Sequence, residues 1–159
     1  MGFAPSPIVL SSSAFTAGGL IPTRHTGEAE DLSPALSWTH AKDATRAYAI
    51  VCHDPDAPLI SRNGTYGFVH WVLYNIPGTV TRLAEGCGDY CQGRNDFGKP
   101  GYNGPLPPKG HGPHHYYFWL VELSTTTSFE PGLTLWQLLE RIEPIAIGMN
   151  RLIGRYERM

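Results

Sequence analysis

Two runs of apolar, aromatic and β-branched residues, Ala47–His53 and Tyr116–Leu123, constrain the fold more than any other part of the sequence. Both are too short to span a membrane, and their residue types favour strands over helices. Because neither run alternates regularly between apolar and polar residues, we expect both faces of each strand to be covered. The sequence therefore predicts a β-sheet with these two segments as its central strands.

The frequency of glycine and proline supports a fold dominated by strands and loops. The chain has 18 glycines and 14 prolines, which is 32 of 159 residues, whereas the two together average roughly 12% of a protein. This excess predicts many turns and argues against a helical bundle. Further strands are predicted at Ile8–Leu10, Phe68–Tyr74 and near Leu152–Tyr156, with a turn at Asn75–Gly78 directly after the Phe68 strand.

One segment has the pattern of an α-helix. Thr134 is a typical N-cap for the segment Leu135–Ile142, whose leucines and isoleucine recur at helical spacing and predict a stripe that faces the core. Pro144 should end or kink this helix, and Ile145–Gly148 is predicted to add a short second turn. We therefore predict a mainly β chain, residues 1–159, forming a single domain with one or two short helices near the C-terminus.

Charge and segment composition exclude several classes of protein. The formal net charge of −2 comes from scattered residues, so no basic surface for nucleic acid is predicted. No apolar run approaches the roughly 20 residues of a membrane-spanning helix. The N-terminal segment has no basic start followed by an apolar stretch, which argues against a secretory signal and makes the cytoplasm the expected location. Cys52 is expected to be a buried thiol, and Cys87 and Cys91 two free thiols.

Polar residues that could carry chemistry lie next to the predicted strands. Asp54 follows one buried strand, His70 lies within the next, and His114 and Tyr116 begin a third, after a loop rich in proline and glycine. Singly, an aspartate between prolines is usually a turn former, and a histidine or tyrosine in a strand is usually a core residue. Together at one end of a sheet they would form a cradle for a small oxyanion such as phosphate.

These residues occur in an order that resembles the phosphatidylethanolamine-binding protein family, which includes the Raf kinase inhibitor protein. The likeness runs from about Phe15 to Arg158. It is carried by these segments: Ser33-Pro34-Ala35-Leu36-Ser37-Trp38, Asp54-Pro55-Asp56-Ala57-Pro58, His70-Trp71, Gly101-Tyr102-Asn103-Gly104-Pro105-Leu106-Pro107-Pro108-Lys109-Gly110, His114-His115-Tyr116 and Leu152-Ile153-Gly154-Arg155-Tyr156-Glu157-Arg158. The last segment is similar to the closing strand of the compact prokaryotic branch of the family.

The resemblance implies a large antiparallel sheet packed on a smaller sheet, and a pocket at one end that accepts phosphate, acetate, cacodylate or a phosphoethanolamine-type head group. Transferred by motif position, the ligand-binding residues are Asp54, His70, Gly104, Pro105, Pro107, Pro108, His114 and Tyr116. Asp56, Phe68 and Trp71 are expected to support the pocket.

Two local features follow from the same resemblance. Ala57–Pro58 is a candidate cis peptide in the aspartate turn, and the segment Leu59–Gly67 looks long and is expected to shape the rim of the pocket.

No metal site and no cofactor are expected, because the histidines lack the spacing of metal ligands.

Three functions are compatible with these residues. The first is non-catalytic binding of a small anionic, phosphate-bearing ligand, with modulation of a protein kinase or protease as a further role of the same protein. The second is a small phosphoester or acyl hydrolase that uses Asp54 with His70 or His114 as an acid–base pair. The third is an interaction protein acting as a homodimer, although a monomer is equally compatible with the sequence. Because no activated nucleophile is evident, the sequence favours binding over catalysis.

Overall fold

A computed structural model describes residues 5–60 and 67–159 of the chain. The described part is mainly β, with two antiparallel sheets and one short α-helix. In chain order the elements are β1 (Val9–Ser11), β2 (Leu36–Thr39), β3 (Ala47–Asp54), β4 (Phe68–Pro77), β5 (Arg82–Leu83), β6 (Cys91–Gln92), β7 (His114–Leu123), α1 (Leu135–Ile142) and β8 (Ala146–Tyr156), with 3-10 turns at Thr23–His25 and Glu143–Ile145.

The larger sheet has the strand order β6-β4-β3-β7-β8, and the smaller sheet has the order β1-β2-β5. The two apolar runs of the sequence thus form β3, at the centre of the larger sheet, and its neighbour β7. Strand β3 is buried along almost its whole length, whereas Tyr117 and Trp119 of β7 are only half-buried on the outer face.

The smaller sheet packs on one face of the larger sheet and forms the first hydrophobic core. Trp38 of β2 meets Tyr48 of β3 with 5.2 Å between ring centroids, and Phe118 and Leu120 of β7 belong to the same core. A second core lies on the opposite face, where Leu138 and Ile142 of α1 cover Val72 of β4 and its neighbours. Coverage on both faces explains why the central strands contain so few polar residues.

Helix α1 begins and ends where the sequence predicts. Thr134 caps it reciprocally: its hydroxyl accepts the amide hydrogen of Gln137, whose side chain accepts the amide hydrogen of Thr134. Of the predicted core-facing stripe, only Leu138 and Ile142 are buried, whereas Leu139 is 36% exposed. The helix lies on the edge of the second core, so only its inner face is covered.

Two local predictions near the strand ends are wrong. The second helical turn predicted at Ile145–Gly148 is a 3-10 turn at Glu143–Ile145, because Ala146 already pairs with Leu123 and starts β8. The turn predicted at Asn75–Gly78 begins later, since β4 continues to Pro77. Asn75 lies at an irregularity of the β3–β4 pairing with a φ of 57°, which lets the strand continue past the expected stop.

Candidate anion-binding site

Three neighbouring strands of the larger sheet bring the predicted site residues to one end of the molecule. Asp54 is the last residue of β3, His70 lies near the start of β4, and His114 and Tyr116 begin β7. Since β4 and β7 both run antiparallel to β3, their starts lie beside its end. The four side chains are buried there.

An irregularity in strand pairing aims His70 at this site. Cys52 of β3 pairs with Trp71, and the next residue, His53, pairs with Val69, so His70 has no partner on β3. A residue inserted in this way interrupts the alternation of side chains and re-aims its own. As a result the His70 ring packs against Tyr116, at 5.2 Å between centroids, while adjacent Trp71 lies in the core shared by the two sheets.

Asp54 and His114 form a buried hydrogen-bonded pair. The Nδ1–H of His114 donates to Asp54 Oδ2 at 2.7 Å, and Asp54 Oδ1 accepts the amide hydrogen of Asp56 at 2.8 Å. Because the carboxylate only accepts, the proton of His114 lies on Nδ1 and its Nε2 is directed away from Asp54. Nε2 meets Nδ1 of His111 at 3.2 Å.

Asp56 supports the site from outside. Its Oδ2 accepts hydrogen bonds from the amide and the Nδ1–H of His115, at 2.7 and 2.8 Å. Partial burial raises the pKa of Asp56, but the bonds from His115 outweigh that effect, and the net result is a lowered pKa. Asp56 thus fastens the turn after β3 to the first residues of β7.

The turn after β3 has no cis peptide bond, so the prediction for Ala57–Pro58 is wrong. The side-chain bond from Asp54 to the Asp56 amide and the bond from the Leu59 amide to the Ala57 carbonyl close the turn with trans geometry. The trans form is also the intrinsically favoured one, by about 0.5–1 kcal/mol.

His70 is held by a loop carbonyl. Its Nδ1–H donates to the Asn103 carbonyl at 2.8 Å, which leaves Nε2 as the ring nitrogen at the cavity. Burial lowers the pKa of His70 below its usual value, although the bond to Asn103 acts in the opposite direction. The neutral ring therefore offers a lone pair in the free protein and can become a donor only by taking up a proton.

Tyr116 provides a hydroxyl without a hydrogen-bond partner among the described residues. Burial and then the nearby Asp54 carboxylate raise the pKa of Tyr116 far above its usual value. The phenol therefore stays protonated and can donate to an anion. Phe68 and Phe97 pack beside the His70 ring. The centroids of the two phenylalanine rings are 4.7 Å apart, and the centroid of Phe68 lies 4.9 Å from that of His70.

These groups line a cavity of about 390 Å³. Its polar atoms come from the residues Asp54, His70, His111, His114 and Tyr116, and its apolar walls include Phe68, Leu106, Pro107 and Pro108. Ala57, Pro58 and Leu59 form part of the wall beside the aspartate turn. Of the segment expected to shape the rim, residues 61–66 lie outside the described part of the chain.

Besides Asp56, three predicted site residues lie outside the wall of the cavity. The Gly104 amide donates to Asp31 Oδ1 at 2.7 Å, and the Pro105 carbonyl accepts from the Gly27 amide, so these groups hold the loop in place. A Cβ on Gly104 would lie 2.1 Å from the His25 carbonyl oxygen, which explains the glycine by close packing. Trp71 is buried and donates from Nε1 to Gln92 at 3.1 Å.

Sequence reasoning missed four contributors to the site. His111, Phe97 and Leu106 line the cavity, and Asp31 orders the loop by accepting from the Asn103 side chain and the Gly104 amide. His111 could have been found from its position three residues before His114, in a short loop that returns to the strand. Asp31 gave no signal, because it lies far from the other site residues along the chain.

The cavity offers donors to an oxyanion but no fixed cation among its described lining residues. The described residues also contain no group of three or more histidines, cysteines or carboxylates placed to hold a metal ion. Nor do they include a helix that is long and apolar enough to cross a membrane. The three cysteines are free in the structure, and Cys52 is buried.

The fold and the cavity define a β protein of two sheets, with a small pocket at one end of the larger sheet that has polar groups at its base and apolar walls. A family model described as phosphatidylethanolamine-binding protein matches residues 11–157. The chain therefore belongs to the phosphatidylethanolamine-binding protein family.

The chain is similar to proteins of archaea and bacteria. A UPF0098 protein of Pyrococcus horikoshii is 41% identical over 156 residues, covering 92% of this chain and 75% of its own. One from Methanothermobacter thermautotrophicus is 39% identical over 156 residues, covering 94% of this chain and 98% of its own. The crystal structure of a phosphatidylethanolamine-binding protein homologue from Chlamydia trachomatis has a TM-score of 0.87 at 33% identity, covering 98% of this chain and 100% of its own.

Proposed function

We propose that this protein binds a small anionic, phosphate-bearing ligand of the phosphoethanolamine type in the cavity, without chemical conversion of the ligand. The observation that carries the proposal is the hydrogen-bonding state of the groups at the base of the cavity. The Tyr116 hydroxyl and His70 Nε2 lack partners among the described residues, whereas Asp54 and the Nδ1 atoms of His70 and His114 are paired. Both groups belong to buried side chains that line the cavity, and polar groups in such places normally have partners, so the two fit a ligand that supplies oxygen atoms.

The chemistry of each group fits such a ligand. Tyr116 donates as a neutral phenol, and His70 donates after taking up a proton, a step that a nearby anion favours. The apolar walls limit competing water, which strengthens hydrogen bonds to a charged oxygen. The volume of about 390 Å³ lies at the small end of typical ligand pockets, and it fits a head group better than acyl chains.

The conservative variant Tyr116→Phe tests the proposal. We expect the affinity for O-phosphoethanolamine, measured by titration calorimetry, to fall about 10- to 100-fold, because one hydrogen bond to a charged group is lost. The matched control is Tyr117→Phe, which removes a hydroxyl from the adjacent residue on the outer face of β7 and should bind like the wild type. Absence of saturable binding by the wild type at millimolar ligand would refute the proposal.

Hydrolysis is the second candidate, because the Asp54–His114 pair has the geometry of a carboxylate that orients a general base. The described lining residues include no serine, threonine, cysteine or lysine, and burial raises the pKa of Cys52 well above its usual value. Among the described residues, the Asp54–His114 pair therefore favours attack by water over attack by a hydroxyl, thiol or amine of the protein. Incubation with a panel of phosphomonoesters and esters should give no product above the blank; turnover that Asp54→Asn abolishes would establish the enzyme instead.

Other parts of the proposal rest on the family resemblance and the composition. We propose that the ligand-bound protein modulates a kinase or protease, and that it does so in the cytoplasm. Comparing affinity purifications of the wild type and Tyr116→Phe from the cytoplasmic fraction of the source cells tests both statements. Capture of a kinase or protease by the wild type alone supports them, and equal capture by both forms contradicts a role for the cavity.

A further inference from the structure

A histidine outside the predicted site covers the atom of His114 that would meet a ligand. His111 Nδ1 lies 3.2 Å from His114 Nε2, and the two rings are 5.4 Å apart between centroids. On its other side His114 donates to Asp54 at 2.7 Å. A continuous chain of hydrogen bonds therefore runs from an exposed imidazole to a buried carboxylate.

The loop that carries His111 leaves its ring free to turn. His111 is exposed and lies between Gly110 and Gly112, whose φ values are 74° and 80°. A Cβ added to either glycine would have no other atom within 4 Å, so the space around the loop is open. A hydrogen bond from the His111 amide to the Pro108 carbonyl holds its backbone. Rotation of the ring towards the cavity or towards solvent would therefore require no repacking of the core.

Among the described lining residues of the cavity, the imidazoles are the groups that can supply positive charge to a bound anion. Among the described residues, the His114 ring faces His111, and the Asp54 carboxylate lies behind the His114 ring. Lys109 lies on the same loop as His111, and Arg158, in the C-terminal segment, donates to the Pro107 carbonyl. Neither Lys109 nor Arg158 is a lining residue. A dianionic ligand in this apolar setting needs more positive charge than the buried base of the cavity supplies.

We propose that His111 determines ligand specificity, an inference that rests on the proposed function. In the free protein its ring covers His114 Nε2. When the ligand is bound, the ring turns to the anion and, as an imidazolium, supplies a second positive charge. A dianionic phosphomonoester uses that charge, whereas a carboxylate such as acetate is matched by one protonated imidazole.

The test compares two ligands on two variants by titration calorimetry. His111→Asn keeps a side-chain amide that can donate but cannot be charged. We expect it to bind O-phosphoethanolamine about 10- to 100-fold more weakly than the wild type, as for the loss of one charged hydrogen bond. Its affinity for acetate should change by no more than about twofold. Lys109→Gln removes a cation of the same loop and should leave both affinities near the wild type.

An NMR titration gives a readout that a structural role would not move. The ring nitrogens of His111 should show a raised pKa when O-phosphoethanolamine is bound and a smaller change with acetate. Equal loss of both ligands in His111→Asn, or no loss of either, would overturn the role of His111 while the proposed function stands. Failure of the wild type to bind O-phosphoethanolamine would instead overturn the proposed function.

Discussion

His70 shows how one residue takes its chemistry from its surroundings. A solvated imidazole titrates near pH 6.5, but the His70 ring is buried between Tyr116 and Phe68 and donates to the Asn103 carbonyl. Burial lowers its pKa, so the neutral ring is the form that the folded protein prefers. Under the proposed function, the same ring would become cationic when an anion enters, which would couple ligand binding to proton uptake.

This lowered pKa predicts a loss of stability in acid. Below about pH 6.5 the His70 ring takes up a proton in the unfolded chain, whereas burial keeps the ring neutral in the folded chain to a lower pH. The unfolded state therefore binds more protons, and the free energy of unfolding falls as the pH falls. His53, whose pKa is also lowered by burial, contributes in the same direction. Urea unfolding between pH 7.5 and 5 should show the decrease.

The variant His70→Gln isolates the contribution of His70. A glutamine amide can still donate to the Asn103 carbonyl but does not titrate, so the decrease in stability should be shallower than in the wild type. The control is His40→Gln, at an exposed histidine outside the cavity, for which we expect the wild-type profile. An unchanged slope in His70→Gln would contradict the assignment.

At the scale of elements, the edge strand β8 is protected by the N-terminal segment of the chain. The Met149 carbonyl accepts from the Ser6 amide, the Ile153 carbonyl from the Gly18 amide and the Arg155 carbonyl from the Ile21 amide. A long edge strand with free backbone groups invites pairing with another chain. The covered edge therefore limits β8 as a route to homodimers.

Glu122 joins the elements around this edge. It is fully buried in β7, and its carboxylate accepts from the Ser6 hydroxyl, the Lys42 amide and the Thr45 hydroxyl at 2.6, 2.7 and 2.9 Å. Gly148 of β8 passes so close that a Cβ there would lie 2.7 Å from Glu122 Oε1. One side chain thus ties the N-terminal segment and the loop before β3 to the larger sheet.

We expect Glu122→Ala to lower the free energy of unfolding by about 2–4 kcal/mol, because three donors lose their acceptor in a buried site. Denaturant unfolding measures the change. Glu140→Ala on the exposed side of α1 is the control and should change stability by less than about 0.5 kcal/mol. A similar small change for Glu122→Ala would show that water replaces the carboxylate at no cost.

At the scale of the whole molecule, the larger sheet contributes to both hydrophobic cores and should make unfolding cooperative. The four tryptophans of the chain sample different layers: Trp38 lies in the smaller sheet, Trp71 in the core shared by the sheets, Trp119 on the outer face of β7 and Trp136 on α1. Trp38 packs directly on Tyr48 of the larger sheet. Loss of one layer would therefore expose the others.

Labelling with 5-fluorotryptophan lets all four positions be followed in one protein by fluorine NMR during urea unfolding. We expect a common midpoint for the four signals, as for a single two-state domain over residues 1–159. An earlier midpoint for Trp38 alone would show that the smaller sheet unfolds separately, and the prediction of one domain would then be wrong.

Local patterns were sufficient to predict the central elements. The apolar runs of β3 and β7 and the cap and spacing of α1 are properties of about ten consecutive residues, and the structure confirms these elements. The strands β5 and β6 have two residues each, too few for any periodicity. They exist because longer strands beside them provide hydrogen-bond partners, which no local pattern reports.

The sequence by itself determined which residues are candidates for the proposed anion site, because Asp54, His70, His114 and Tyr116 stand at or near strand ends in a recognisable order. Only the tertiary structure decided how they are arranged. The pairing irregularity that turns His70 inward, the loop carbonyl that orients its ring and the contact of His111 with His114 depend on register and on chain segments brought together by folding. Residue type and local spacing are written along the chain, whereas register and close approach are set by packing between residues that are distant in sequence.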